Sequence, residues 1–238
     1  MNSVGVILAS GSGKRFDAKD TPKHLTLILD IPIIVWTIKS VIKSRLFSSI
    51  VIVVRNQDIL KTKKILNQYF SDNAFPIRVT KGSNKRIDSF FLGLDDLINA
   101  QLVKSDSIIA LFDANRPFTP VNQLTDLNAS AKETGCSCPV RPVVNGIAQV
   151  NLNHIIDVPD KLNYVEFVTP EFMQFGILKD AQNSYGNIYG SLVEYALASK
   201  VMPSTTRANL LSAKLTFPED RTFLEGLALD HNLIFNSE

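Results

Sequence analysis

The chain has 238 residues and a formal net charge of +2, and 45% of its residues are hydrophobic while 20% are charged. The length suits one large α/β domain with a buried core, and the charge is too small to indicate nucleic-acid binding. No apolar run approaches the roughly 20 residues that a membrane span needs, and the apolar start is too short for a signal peptide. We therefore expect a cytoplasmic protein with neither a nucleic-acid nor a membrane partner.

Apolar runs typical of strands alternate with helical patterns in the first half of the chain. The patterns predict strands over 4–9, 49–54, 77–80 and 107–112, and helices over 33–44, 57–70 and 86–100. This alternation indicates a mostly parallel sheet with helices on both faces, which is an α/β architecture. Such sheets bind ligands outside the carboxyl ends of their strands. The loops that follow the first and the last of these strands are therefore candidate sites.

The second half of the chain follows a different pattern. Residues 136–150 and 154–157 are rich in β-branched side chains but are interrupted by prolines and a glycine, which indicates an extended arm or hairpin. Further on, the patterns predict a helix over 190–199, a short strand over 213–217 and a closing helix over 218–229. We expect one domain over residues 1–238 with a β-arm for dimerisation at about 139–162.

Two cysteines, Cys136 and Cys138, are separated by one residue, and this spacing would strain a disulfide bond. The three histidines are scattered along the chain and form no zinc-like cluster. We therefore expect two free thiols that are buried or half-buried, as free cysteines usually are.

The segment "VILASGSGKRF", residues 6–16, follows the first predicted strand and carries two glycines and two adjacent cations. It fits neither of two familiar phosphate-binding patterns. A P-loop needs a serine or threonine after its glycine–lysine pair, where this chain has Arg15. A dinucleotide-binding loop needs a third glycine where this chain has Phe16, and Pro22 would break the helix that should follow.

The residue types of this loop nevertheless suit a bound polyanion. Small residues let backbone N–H groups approach phosphate oxygens closely, and nearby cations could neutralise a triphosphate. The residues concerned are Ala9, Ser10, Gly11, Gly13, Lys14, Arg15 and Lys23. The alternative is an ordinary glycine turn with solvated cations.

A second candidate site is "FDANRPF", which follows the strand predicted over 107–112. Asp113 stands at the carboxyl end of that strand, where a carboxylate could hold Mg²⁺ together with substrate phosphates. Arg116 follows on the same turn and could bind an acceptor phosphate through two hydrogen bonds. The alternative is a helix cap, Asp113, with Arg116 as its ion-pair partner.

Taken in chain order, seven segments resemble the motifs of the methylerythritol-phosphate and ribitol-phosphate cytidylyltransferase family. They are "LASGSGKRF", "TPKHL", "KGSNKRIDSFFLGL", "FDANRPF", "CPVRP", "VTPEF" and "KLTFPED". The resemblance runs from Val6 to Asp220 and implies a Rossmann-like α/β fold with a protruding β-arm. In that family the arm usually makes a homodimer, and active sites can be completed across the dimer.

The resemblance also implies a reaction, in which CTP and a polyol phosphate give a CDP-polyol and pyrophosphate with the help of Mg²⁺. Carried over residue by residue, it implies that Asp113 binds the metal and that Arg116 and Lys161 bind the acceptor phosphate. It implies a catalytic role for the cations Arg15, Lys23 and Lys214. It assigns the nucleotide to Ala9, Ser10, Gly11, Gly13 and Lys14 around the phosphates, and to Gly82, Ser83, Asn84 and Ser89 at the cytosine edge.

The acceptor half departs from the methylerythritol-phosphate pattern at three places. Arg141 is followed by Pro142 and Val143 where those enzymes usually have Asp-Thr. The segment "GNIYGSLVEY" replaces a "TDEAS"-like segment, and no acidic residue lies between 207 and 214. Because a site without hydroxyl-binding partners discriminates against a substrate that needs them, we expect a different acceptor, such as a ribitol-phosphate-like polyol.

Three other functions stay open from the sequence. One is a 2-C-methyl-D-erythritol 4-phosphate cytidylyltransferase of isoprenoid biosynthesis, and another is a homologue that binds the nucleotide without turnover. The third is an NAD(P)-dependent oxidoreductase, because Asp30 lies at about the right distance from the loop for a ribose contact. Phe16 and the Pro22–Lys23 pair argue against that third function.

Overall fold

The computed structural model describes residues 2–11, 16, 22–231 and 233. The described chain forms twelve β-strands, which are β1 Ser3–Leu8, β2 Leu27–Ile28, β3 Ile31–Pro32, β4 Phe47–Val54, β5 Ile77–Lys81, β6 Ile108–Asp113, β7 Cys136–Pro142, β8 Gln149–Asn151, β9 His154–Asp157, β10 Val165–Phe167, β11 Glu171–Gln174 and β12 Ser204–Arg207. Its α-helices are α1 Ile33–Ser44, α2 Ile59–Phe70, α3 Arg86–Asn99, α4 Val121–Thr134, α5 Phe175–Tyr185, α6 Leu192–Ala198 and α7 Asp220–Asp230.

Eight of the strands form one mixed sheet in the order β10-β7-β11-β6-β1-β4-β5, with β12 pairing to β7. Strands β6, β1, β4 and β5 are parallel, whereas β11 is antiparallel to both β6 and β7. In the central strand, Val6 is in register with Val51 on one side and Leu111 on the other. The predicted α/β fold is confirmed, and the parallel half of the sheet brings the ends of β1, β4, β5 and β6 to one edge.

Hydrophobic cores cover both faces of this sheet, which is why its central strands are nearly continuous apolar runs. Helices α1, α2 and α4 pack on one face, and α3, α5 and α6 pack on the other. Helix α3 lies very close to the sheet at Gly93, where an added Cβ would lie 2.6 Å from Val53 and 2.8 Å from Val6. This close packing fixes the start of α3 relative to the ends of β1 and β4.

Most predicted elements of the first half are confirmed, and helix α1 has the predicted bounds. The strand predicted over 213–217 is wrong, because no strand forms there. Instead, the backbone of Leu215 bonds to Asn115, since Leu215 N donates to the Asn115 carbonyl at 2.9 Å and Asn115 Nδ2 donates to the Leu215 carbonyl at 2.6 Å. These bonds hold Lys214 beside the end of β6.

The region predicted as an arm divides into two parts. Strand β7 belongs to the main sheet, whereas β8 and β9 form a separate two-stranded hairpin. Residues 148–167 are exposed apart from Pro159, and their large hydrophobic side chains are Val150, Leu152, Ile155, Ile156, Val158, Leu162, Tyr164, Val165 and Phe167. An exposed group of apolar side chains of this size is typical of an interaction surface.

Cys136 and Cys138 are both buried free thiols, as predicted. Burial and the nearby Glu171 raise the pKa of both thiols, that of Cys138 to about 12. Neither cysteine is therefore available as a thiolate nucleophile at neutral pH. Among the helices that the structure describes, none has the length and apolar character of a membrane span.

Candidate active site

A cleft of about 920 Å³ lies at the carboxyl edge of the parallel strands. Residues 9–11, 55–57, 82–84 and 113–115 line it, and each of these segments follows or ends one of the strands β1, β4, β5 and β6. The remaining lining residues are Leu8, Lys23, His24, Arg86, Lys214 and Thr216. The fold thus brings together the loop that follows β1 and the loop that follows β6, which belong to separate sequence motifs. They meet where open α/β sheets bind their ligands.

The loops after β1 and β5 touch directly at Gly82. A Cβ on Gly82 would lie 2.8 Å from Ser10 Cβ and 2.9 Å from Ser89 Oγ, so no larger residue fits without displacing a loop. The Ser89 hydroxyl lies 3.0 Å from Ser10 Oγ and accepts a hydrogen bond from Ser83 N at 2.9 Å. Ser89 is fully buried and does not line the cleft, so its contacts hold the two loops together.

The predicted residues of the loop after β1 have two outcomes. Ala9, Ser10 and Gly11 line the cleft, whereas Gly13, Lys14 and Arg15 lie outside the described residues. Lys23 also lines the cleft, and its Nζ donates to the Thr216 carbonyl at 3.1 Å. The same Nζ lies 5.3 Å from the centre of the Phe16 ring, which fits a cation–π contact.

At the end of β6, three cations surround the carboxylate of Asp113. Lys214 Nζ lies 2.8 Å from Oδ2, Arg86 Nη2 lies 3.5 Å from Oδ1, and Arg116 Nε lies 3.8 Å from Oδ2. Burial alone would raise the pKa of Asp113, but the three cations outweigh it and lower the pKa to about 2. Asp113 is therefore ionised at every physiological pH, and Lys214 is held against it.

The two predicted acceptor residues are not part of the cleft wall. The Arg116 side chain is only 10% exposed, and it donates to Thr169 Oγ1 at 3.0 Å and to the Ser212 carbonyl at 2.6 Å. Lys161 lies in the exposed segment between β9 and β10, where its Nζ donates to the Val144 carbonyl at 2.8 Å. Their predicted roles in binding the acceptor stay predictions.

Three charged residues at or near the cleft, Arg55, Arg86 and Glu171, have no counterpart among the predicted site residues. Arg86 is the first residue of α3 and lines the cleft, and Glu171 is buried at the start of β11. Burial raises the pKa of Glu171, while Arg86 and the amides of Val193 and Leu192 oppose that rise. The last two of these residues lie within segments that carry the family resemblance, Arg86 in "KGSNKRIDSFFLGL" and Glu171 in "VTPEF", but the resemblance assigned a role to neither.

His24 also lines the cleft but is buried and bonded away from it. One ring nitrogen lies 3.0 Å from Thr62 Oγ1, and burial lowers the pKa of His24 to about 4 although Asp58 opposes the effect. The imidazole is therefore neutral at physiological pH.

The cations that line the described cleft are Lys23, Arg55, Arg86 and Lys214, against the single carboxylate of Asp113. This balance suits a polyanionic ligand.

An α/β sheet with a cationic cleft at its carboxyl edge is an arrangement that suits a nucleotide or another polyanion. Residues 4–220 match the family described as IspD, 2-C-methyl-D-erythritol 4-phosphate cytidylyltransferase, and the chain belongs to that family. It is thus a nucleotidyltransferase by family. This membership argues against the oxidoreductase alternative.

Individual relatives carry two different names. The chain is 25% identical over 178 residues to ribitol-5-phosphate cytidylyltransferase of Lactiplantibacillus plantarum, with 75% of this chain and 76% of the relative covered. It is 28% identical over 232 residues to 2-C-methyl-D-erythritol 4-phosphate cytidylyltransferase of Vesicomyosocius okutanii, with 90% and 92% covered.

A solved structure of 4-diphosphocytidyl-2C-methyl-D-erythritol synthase has the same fold. It superposes with a TM-score of 0.78 at 20% identity and covers 95% of this chain and 97% of its own. The 2-C-methyl-D-erythritol 4-phosphate cytidylyltransferase of Francisella tularensis superposes with a TM-score of 0.75 at 20% identity, with 94% and 98% covered. At this identity the superpositions support the fold and nothing finer.

Proposed function

We propose that this protein transfers the cytidylyl group of CTP to a phosphorylated polyol and releases pyrophosphate. The observation that carries the proposal is the composition of the two cleft walls. One wall consists of the loops at 9–11 and 82–84, which Ser89 holds together and which suit a nucleotide. The other wall is the cationic cluster around Asp113, which suits the reacting phosphates.

In the proposed reaction, an oxygen of the acceptor phosphate attacks the α-phosphorus of CTP. A P–O bond forms there while the P–O bond to the β-phosphate breaks, so that pyrophosphate leaves with the bonding electron pair. A phosphate monoester is already largely ionised near neutral pH, because its second pKa is about 6. No general base is required, and positioning with charge neutralisation carries the rate.

The chain's own cations fit that requirement. Lys23 and Lys214 both line the cleft; the Thr216 carbonyl accepts a hydrogen bond from Lys23, and the Asp113 carboxylate holds Lys214 in place. We propose that both lysines stabilise the charge that develops on the α-phosphate and on the leaving pyrophosphate. Arg15, on the loop after β1, is proposed to act with them.

The side chains around Asp113 decide how many protein ligands a divalent metal could have in the cleft. Mg²⁺ usually takes one or two carboxylates together with substrate phosphates. Within the part of the chain that the structure describes, no group of three or more His, Cys, Asp or Glu side chains could hold a metal. Asp113 alone fits such an ion, with nucleotide oxygens as the other ligands. We propose that Asp113 would hold an Mg²⁺ ion bound to CTP, and that the ion would supply charge neutralisation at the phosphates.

The acceptor is proposed to be a ribitol-phosphate-like polyol. Pro142 and Val143 replace polar residues of the methylerythritol-phosphate pattern, and the segment "GNIYGSLVEY" presents Ile188 with 70% of its surface exposed. The relative from Lactiplantibacillus plantarum supports this choice. The alternative acceptor is 2-C-methyl-D-erythritol 4-phosphate, which the family name and most of the relatives support.

A pyrophosphate-release assay tests this proposal. The purified protein is incubated with CTP, Mg²⁺ and either ribitol 5-phosphate or 2-C-methyl-D-erythritol 4-phosphate, with ATP, GTP and UTP replacing CTP in parallel. We expect release with CTP and a preference for ribitol 5-phosphate. A preference for the methylerythritol substrate would favour the alternative acceptor. CTP binding without release from any acceptor would favour the non-catalytic homologue.

The arm is proposed to form a homodimer of this single-domain protein in the cytoplasm. The exposed apolar side chains of residues 149–167 support this proposal, because a second copy of the arm would bury them. A second copy could also bring Lys161 to the cleft, which would account for its distance from the cleft wall within one chain.

A further inference from the structure

Glu171 is a buried carboxylate that the proposed reaction does not use. Its side chain is at most 2% exposed, and it occupies the first position of β11, next to the parallel half of the sheet. Oε2 accepts hydrogen bonds from Leu192 N at 2.7 Å and Val193 N at 3.2 Å. One of its oxygens is therefore fully used in holding the start of α6.

The other oxygen faces Arg86. Glu171 Oε1 lies 3.5 Å from Arg86 Nη2, and the same nitrogen lies 3.5 Å from Asp113 Oδ1. The neighbouring nitrogen, Nη1, donates to the Gly190 carbonyl at 2.7 Å. Arg86 Nη2 thus lies at the same distance from two carboxylates, while the Gly190 carbonyl accepts a hydrogen bond from the other terminal nitrogen of the guanidinium.

This position has a consequence for Asp113. Three cations share that carboxylate, and Glu171 is the second negative charge beside one of them. Without the charge on Glu171, the attraction on Arg86 would come from Asp113 alone. The guanidinium would then be drawn towards Asp113, so its position at the cleft would change and it would occupy the carboxylate more closely.

We propose that Glu171 is a positioning residue, which holds Arg86 in place so that its guanidinium can bind a phosphate of the nucleotide while Asp113 stays available. This inference rests on the proposed function, because it assumes that CTP occupies the cleft. It adds two residues to the nucleotide site, Arg86 as a direct ligand and Glu171 as its support.

A double-mutant cycle in CTP affinity tests the inference. The variants are Glu171→Gln, Arg86→Gln and the pair together, and CTP binding is measured by calorimetry, which needs no acceptor. Glutamine keeps an oxygen for the two amides of α6 but presents an amino group to Arg86. The matched control is Glu225→Gln, because Glu225 Oε1 also accepts hydrogen bonds from a backbone amide, Leu29 N at 3.3 Å, and from an arginine, Arg221 Nε at 2.9 Å, and none of these residues lines the cleft.

We expect Glu171→Gln and Arg86→Gln each to weaken CTP binding by about tenfold, and the pair to weaken it no more than Arg86→Gln alone. Glu225→Gln should bind CTP within about twofold of the unmodified protein. A simple charge effect has the opposite sign, since removing a negative charge would tighten the binding of a polyanion.

Unchanged or tighter CTP binding in Glu171→Gln would overturn the inference. Additive losses in the double variant would overturn it too, because Glu171 would then act without Arg86. If the unmodified protein binds no CTP, the proposed function fails first and this inference fails with it, so the two failures are distinguishable. Thermal unfolding of each variant identifies any loss that comes from a damaged fold.

Discussion

Lys214 donates a 2.8 Å hydrogen bond to Asp113 although 101 positions separate the two residues in the chain. The pair lies on one wall of the cleft, and Lys23 reaches the cleft from the loop that follows β1. A lysine held by a buried carboxylate has a fixed direction, and a preorganised donor of this kind suits a phosphate on which charge develops. The pair is therefore central to the proposed chemistry.

Replacing Lys214 by alanine should lower kcat by about 10²- to 10³-fold, because one preorganised donor to the transition state is lost. Asp113 keeps Arg86 and Arg116 as partners, so the fold should survive. Steady-state pyrophosphate release measures the loss, and circular dichroism checks the fold. Lys63→Ala is the control, since Lys63 is exposed on α2 outside the cleft. Comparable rates in the two variants would remove Lys214 from the mechanism.

Replacing Gly82 by alanine should weaken CTP binding by about tenfold, because the new Cβ would lie 2.8 Å from Ser10 and force the two loops apart. Calorimetric titration with CTP measures the effect. Gly226→Ala is the matched control, because a Cβ there meets no atom within 4 Å and alanine suits the interior of α7. Equal affinity in both variants would show that the contact between the loops is not needed for the nucleotide.

The stability of the protein should fall as the pH drops from about 6.5 to about 4 because of His24. The folded protein binds a proton there only near pH 4, whereas the unfolded chain binds it near 6.5. The unfolded state therefore takes up more protons in this window, and acid favours unfolding. Urea unfolding at pH 7 and pH 4.5 measures the change. His24→Gln should lose less stability than the unmodified protein between these two values, and an identical loss would contradict the assignment to His24.

Replacing Ile155 by glutamate should convert a dimer to a monomer, because it places a charge within the apolar surface of the arm, where Ile155 is 67% exposed. Analytical ultracentrifugation measures the mass in solution. Leu60→Glu is the control, since Leu60 is 82% exposed on α2, outside the arm. A monomeric unmodified protein, or a dimeric Ile155→Glu, would argue against the arm as the interface.

Local patterns are sufficient for the elements of the first half of the chain. Helix α1 has apolar residues at helical spacing and begins directly after Pro32, so both its type and its bounds are predictable. The segment at 213–217 alternates like a strand, yet its backbone bonds to Asn115 and no strand forms. Which backbone groups a segment meets depends on the tertiary fold and is absent from the local pattern.

The candidate active site shows even more clearly that local sequence patterns do not predict contacts between distant parts of the chain. Ser10, Gly82 and Asp113 were identified from their motifs and do meet in one cleft. Arg86 and Glu171 lie in two of the segments that carry the family resemblance, but those segments are far apart in the chain, and only the fold places the two side chains 3.5 Å apart. Sequence patterns find residues that lie at the ends of strands, whereas they do not find a buried charge whose partner is distant in the chain.

The most direct test of the whole account is a ³¹P NMR time course of the purified protein with CTP, Mg²⁺ and ribitol 5-phosphate or 2-C-methyl-D-erythritol 4-phosphate. The account predicts that CTP and the acceptor phosphate disappear together while a CDP-polyol diphosphate signal and pyrophosphate rise in equal amounts. Lys23→Ala should slow this time course by orders of magnitude, since a cation at the reacting phosphates is lost. Hydrolysis of CTP to CMP and pyrophosphate without a CDP-polyol signal, or an unchanged spectrum with both acceptors, would contradict it.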